Sequence, residues 1–308
     1  MLRRILIGSA SMIVLGTGSA WAASTSSVYQ DGTTSNVSAT VSQSGPTGSA
    51  SDVQQVNSTN NSSVSVTQLD DGNNPTFPSN VSTVLQSETA FSNVSVIQEA
   101  NGDFLDNDRQ LSDVRQTLQY EGSTASVYQN AFGQIGGENS SYINQDYGYY
   151  NNASVYQIGL DSNAAITQYA SIYNYASIYQ AGDTDGGEES DDDNNASISQ
   201  YWSGDSFAGI YQDGARNNAS IQQGDAWGSL WSSWNSAGTT QVGFDNTSTI
   251  YQTGEGHQAY AVQLGNDNYS SIYQTGNGNY AEVWQTNDSH SSTVTQTGTG
   301  GYVYVTQN

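Results

Sequence analysis

The chain has 308 residues, five basic against 29 acidic, a formal net charge of −24 and no cysteine. That balance excludes a nucleic-acid binder, since nothing is present to neutralise a row of phosphates, and it excludes a disulfide-stapled secreted fold. Large aliphatics are sparse among Gly, Ser, Thr, Asn, Gln and Tyr, a composition that normally stays unfolded unless periodicity intervenes.

Residues 1–22 read as a secretory signal peptide: Arg3 and Arg4, then an apolar stretch from Ile5 to Gly18, then Ala20-Trp21-Ala22 as a small-x-small cleavage site. The mature chain then runs over 23–308, and no other apolar run is long enough for a membrane helix. The expectation is an exported protein that does not span a membrane.

The mature chain repeats. Glutamines preceded two residues earlier by a β-branched residue recur at Gln30, Gln43, Gln55, Gln68, Gln86, Gln98, Gln116, Gln129, Gln145, Gln157 and Gln168. They continue at Gln180, Gln200, Gln212, Gln223, Gln241, Gln252, Gln263, Gln274, Gln285, Gln296 and Gln307, making 22 rungs. Steps are 11 residues throughout from Gln241, mostly 11 to 13 before it, and 16, 18 or 20 where a turn carries an insertion. Val or Ile stands two residues before 20 of the 22 glutamines, with Thr239 and Ala261 as exceptions; four before, the residue is nearly always Ala or Ser.

Within a rung the pattern alternates with period two, the mark of a strand. Asn279, Ala281, Val283 and Gln285 fall on one face; Tyr280, Glu282 and Trp284 fall on the other. β-Branched residues suit the buried face, Ala or Ser lets two sheets approach, and stacked Asn and Gln are expected to bond to their own kind one layer up. Gly32, Gly159, Gly182, Gly214, Gly243, Gly254, Gly265, Gly276 and Gly298 follow the glutamines by two and should supply positive φ in tight turns. The fold expected is all-β: a β-solenoid of about 11 two-strand layers from 22 strand-turn rungs, with amyloid-like in-register stacking, roughly 50 Å long at the ~4.8 Å strand spacing.

Other features lie between or on the rungs. Pro75 and Pro78 fall in an insertion, where proline breaks no ladder. The acidic insertion 183–193, with Glu188, Glu189, Asp191, Asp192 and Asp193, reads as a solvated loop; it lacks the alternating pattern of a calcium loop, and calcium binding stays open. Trp227, Trp231 and Trp234 occupy another long step, as cover for an irregularity or as a platform for sugars or a partner. His257 and His290 stand in the Asn column three rungs apart, on opposite sheets, so no zinc pair is expected. Tyr128, Tyr156, Tyr179 and Tyr211 should stack along one outer face.

Ser206, Gln212, Gly214, Asn217, Ala219 and Gln223 spell S-x5-Q-x-G-x2-N-x-A-x3-Q, which resembles the repeat of the curlins, subunits of bacterial curli fibres. Gln274, Gly276, Asn279, Ala281 and Gln285 repeat it with Asn268 in the Ser place, and Gln252, Gly254, Ala259 and Gln263 repeat it with His257 in the Asn place. The resemblance spans Ser24 to Gln307. It implies a structural subunit of an extracellular functional amyloid that polymerises with copies of itself for biofilm matrix and cell adhesion. It further implies a nucleator subunit, export through a curli-type secretion channel of an outer-membrane bacterium, and a cell-surface location. The residues expected to carry self-assembly are Ser206, Gln212, Gly214, Asn217, Ala219, Gln223, Gln252, Gln263, Gln274, Asn279, Ala281, Gln285, Gln296 and Gln307.

Rungs are recognisable up to both ends, 24–30 and 301–307, so no capping repeat is expected, and an uncapped solenoid is a template for another copy. The other classes are a monomeric solenoid adhesin or ligand-binding surface protein, which would stay single at high concentration, and a β-helical enzyme. An enzyme is not expected: lysine is absent and arginine almost so, while the repeats single out no catalytic surface. No cofactor and no metal are expected.

Overall fold

A computed structural model describes residues 24–308 apart from 33–35, 46–47, 59–60, 71–79, 101–108, 132–137, 160, 183–192 and 225–231. The signal peptide, Pro75, Pro78, most of the acidic insertion, Trp227 and Trp231 lie outside the described residues.

Every rung forms a strand, and successive rungs go to opposite sheets. One sheet takes the strands ending at Gln30, Gln55, Gln86 and so on to Gln296; the other takes those from Gln43 to Gln307. The second sheet has 11 strands; the first has 13, of which Ser203–Gly204 and Ser232–Ser233 are two-residue pieces at its margin. The rungs therefore build eleven layers, each one strand from each sheet. All pairings are parallel, which the chain achieves because a layer's second strand always intervenes. This is a β-solenoid. Among the described residues there is no helix, hence none long and apolar enough to cross a membrane.

Register holds by sequence column. In one stretch Ala153 pairs with Ala176, Val155 with Ile178, Tyr156 with Tyr179 and Gln157 with Gln180. A slip by one residue would exchange the buried and exposed sets, so the period-two pattern locks it. The burial string exposed–buried–half-buried–buried recurs nearly unchanged from strand to strand. Inside lie the Val/Ile column, the Ala/Ser column and the glutamines, which are fully buried except in the first and last layers. At the two exceptions the core adapts. The Thr239 hydroxyl bonds the Ser248 hydroxyl across the sheets at 3.1 Å, and Ala261 follows it in register with nothing larger to place.

One irregularity breaks the stack. The strand Arg109–Glu121 shifts register against Glu138–Tyr149 between Gln119 and Glu121, a bulge at the entry to a turn. On that margin Tyr149, Ile172 and Gly204 continue as single bridges, so a narrow third ladder follows the turns.

Eight of the nine glycines after the glutamines have positive φ; Gly182 does not. A second left-handed position, just before the Asn column, was not expected, because ordinary residues fill it: Tyr150 (φ 52°), Tyr173 (φ 56°), Trp234 (φ 59°), Asp245 (φ 58°). Such a conformation costs an L-residue roughly 1–2 kcal/mol. It is held by the layer beneath, since the N–H of each bonds a carbonyl there, as Tyr173 does to Tyr149 at 2.9 Å.

Candidate assembly site: the amide ladders

Each glutamine ends the inward face of its strand, where the side chain turns along the stack. In the first sheet Gln30 Nε2 donates to Gln55 Oε1 at 2.6 Å, and the chain of bonds continues unbroken to Gln296. The second sheet has the same chain from Gln43 to Gln307, with links of 2.7 to 2.9 Å. Every link runs the same way: the amide nitrogen of one layer gives to the oxygen of the next. The other amide hydrogen crosses to a main-chain carbonyl of the facing strand, as from Gln212 to Asn195 at 3.1 Å and from Gln285 to Tyr269 at 2.9 Å. A buried glutamine thus spends both hydrogens, and one residue type both stacks the layers and joins the sheets. Leaving such a group unpaired would cost about 1–3 kcal/mol.

The asparagine column works differently from the amide-to-amide ladder expected of it. Asn194 Oδ1 accepts the backbone N–H of Asn217 at 3.0 Å, and Asn217 Oδ1 that of Asn246 at 3.2 Å. The Nδ2 groups bond turn carbonyls: Asn194 to Gly214 at 2.6 Å, Asn217 to Gly243 at 2.7 Å, Asn279 to Gly298 at 3.1 Å. Asparagine lacks one methylene of glutamine and reaches the main chain before it reaches its neighbour's amide; among the described residues only Asn246 to Asn217, at 3.1 Å, also joins amide to amide in this column. Ser206 stands in this column, its N–H held by Asn174 Oδ1 at 3.0 Å and its hydroxyl accepting from Asn235 N at 3.4 Å.

The expected assembly residues do not gather into one cluster. Gln223, Gln252, Gln274 and Gln296 lie in one glutamine column; Gln212, Gln263, Gln285 and Gln307 lie in the other. Ala219 and Ala281 are buried between the sheets, and Gly214, Asn217 and Asn279 hold the turns. Together they trace the inner seam of layers seven to eleven. Gln241 belongs with them, linking Gln212 to Gln263, and was detectable from its spacing alone.

Among the described residues carboxylates stay off the inward columns. The three described arginines are paired: Arg216 with Asp245 of the next layer at 2.8 Å, Arg109 with Glu138 at 3.5 Å, Arg115 with Asp113 at 2.7 Å. Arg216 holds the Asp245 carboxyl below its ordinary pKa. On the outer face the rings of Tyr128, Tyr156, Tyr179 and Tyr211 stack at 4.7, 5.0 and 4.9 Å, near-parallel, as the sequence requires.

Residues 243–276 and 265–298 match the model of the curlin associated repeat. No curated protein matches the chain significantly. The matched residues form the regular layers nine and ten, the first strand of layer eleven and the turn leading into them, and the same columns run back through all the others. The chain carries curlin associated repeats over residues 243–298, in two overlapping matches.

Proposed function

We propose that the protein is a structural subunit of an extracellular, curli-type amyloid fibre, and that it polymerises end to end with copies of itself. The observation that carries this reading is the one-way run of both glutamine columns between two sheet edges that no described strand covers. Among the described residues no strand covers the outer edge of 25–31 and 38–44 in the first layer, or of 291–299 and 302–307 in the last. The columns run from an acceptor end to a donor end, where Gln296 and Gln307 hold carbonyls at 2.9 and 3.0 Å and the column direction aims their other hydrogens outward. A second copy set head to tail would continue both columns and both sheets. Head to head, donors would meet donors.

In this reading residues 1–22 direct export, a nucleator and a secretion channel serve assembly at the surface of an outer-membrane bacterium, and the fibres contribute to biofilm matrix and adhesion. The described carboxylates, outward or in turns, keep the unassembled chain dispersed. The fibre is structural and performs no reaction.

The experiment is seeded growth of the purified chain 23–308, read by fibre diffraction and electron microscopy. Filaments scattering near 4.7–4.8 Å along the axis are expected. Tyr304→Pro with Thr306→Pro, positions of the last strand whose N–H groups alternate away from the strand Tyr280–Thr286 toward the uncovered edge, should stop growth on that end while leaving the monomer folded. A chain that remains single at high concentration sinks the proposal and favours a monomeric adhesin.

A further inference from the structure

The outer face of the second sheet carries two aromatic columns that stop at the same layer. Tyr179 stacks on Tyr211 at 4.9 Å and 4°, and Tyr175 on Phe207 at 5.2 Å and 3°. In the next strand Tyr211 is followed in register by Thr240, Phe207 by Ser236, and Gly209 by Gly238. Layer eight therefore presents no ring and, at its centre, no side chain. In layer nine Tyr260 stands in register with Gly238. Its ring leans back over that glycine, with Oη 3.0 Å from Ser236 Oγ, and so closes the trough at one end. What stays open is a groove of about 310 Å³ that runs over Gly209, Gly238 and Thr240, walled by the half-exposed Tyr211 and bounded beyond by Tyr260 and Val262.

We propose that this groove binds a flat aromatic cation. Layers seven and nine are two strand spacings apart, about 9.6 Å. The tyrosines of the column stack at 4.7 to 5.0 Å, so one planar ring laid on Tyr211 takes the place of the missing rung. Offset ring stacking supplies about 0.5–1.5 kcal/mol beyond burial, and a cation over a tyrosine face adds to it. The sign of the charge follows from the surroundings. Asp213 stands beside the platform, its carboxylate accepting the Tyr211 hydroxyl at 3.3 Å, on a chain of net charge −24. No arginine lies among the groove's lining residues to hold an anion. The site is internal to one chain, so it does not depend on fibre formation, and a fibre would display it once per subunit.

The test is fluorescence titration of the chain 23–308, held as monomer, with proflavine as the planar cation and anthracene-9-carboxylate as an anion of the same ring size. Saturable proflavine binding at one site per chain is expected, with the anion weaker by about tenfold or more. Thr240→Tyr, which supplies the missing rung from the chain itself, should abolish binding. Should that variant fail to fold, Tyr211→Thr, which repeats a side chain already accommodated one layer on, should weaken binding by about tenfold. Proflavine bound equally by folded Thr240→Tyr, no proflavine binding, or equal affinity for the anion would each overturn the proposal.

Discussion

His257 Nδ1 accepts the backbone N–H of Asn279 at 3.2 Å, the bond that asparagine Oδ1 atoms accept elsewhere in the column. Its Nε2 lies 3.0 Å from the Thr253 carbonyl, matching Asn279 Nδ2 on Thr275 at 3.1 Å. The imidazole therefore imitates a carboxamide, which fixes it as neutral with the proton on Nε2. Burial pushes its pKa below the ordinary 6.5. Because the folded chain resists protonation, this histidine's contribution is complete above about pH 6.5 and is lost as pH falls below it toward the lowered folded value. His257→Asn should hold stability within about 1 kcal/mol at pH 7.5 and flatten that decline. Urea midpoints of both proteins at pH 7.5 and 5.0 measure it; parallel declines would refute the tautomer assignment.

Gln180 receives from Gln157 at 2.9 Å and gives to Gln212 at 2.8 Å. Gln180→Leu keeps the volume but strands a buried donor, Gln157 Nε2, in the layer before and a buried acceptor, Gln212 Oε1, in the layer after. A loss of about 2–4 kcal/mol is expected, seen as accelerated hydrogen exchange centred on residues 152–158 and 207–213. An exchange pattern unchanged in those strands would show that the column carries no weight.

Two turn glycines should respond unequally to alanine. At Gly214 (φ 110°) a Cβ would stand 2.3 Å from the Gly243 carbonyl oxygen, inside the next layer's backbone. At Gly278 (φ 63°) it would meet nothing within 4 Å. Gly278→Ala should cost only the left-handed conformation, about 1 kcal/mol, whereas Gly214→Ala should cost about 3 kcal/mol or more. Thermal unfolding of the pair decides the point, and equal losses would contradict it.

Asp146 Oδ1 is buried without a hydrogen-bond partner, and burial raises the carboxyl's pKa above its ordinary 3.8. The raised group favours the fold below pH 3.8, and that benefit disappears as pH rises through the folded value. Asp146→Asn should therefore stabilise at pH 7 by a few tenths to about 1 kcal/mol, since the group is half-exposed. The gain should vanish near pH 3. Melting temperatures of both proteins across that range test it; a gain independent of pH would assign the effect to something other than charge.

The solenoid was legible because its columns are written in residue types: a β-branched residue two before each glutamine forces both the strand and the choice of face. Residue counting alone put Gln157 over Gln180 and Tyr156 over Tyr179. The asparagine bonds were not legible, because reach along the turn, a matter of one methylene, decides whether Asn217 meets an amide or a main-chain N–H. Nor were the left-handed Tyr150, Tyr173 and Trp234, whose conformation is imposed by the neighbouring layer against their own preference. The gap beside Tyr211 needed the register of three columns at once. Thr240 and Gly238 read singly are unremarkable polar and small residues.

Since a layer touches only the one before and the one after, no residue anywhere depends on how many layers there are. Copying or deleting a span of 22 residues such as 264–285 would leave every remaining bond type intact and change only the length of the rod. Tandem duplication is then a nearly neutral event for such a molecule, and its size is set by history and by the demands of its use, not by folding.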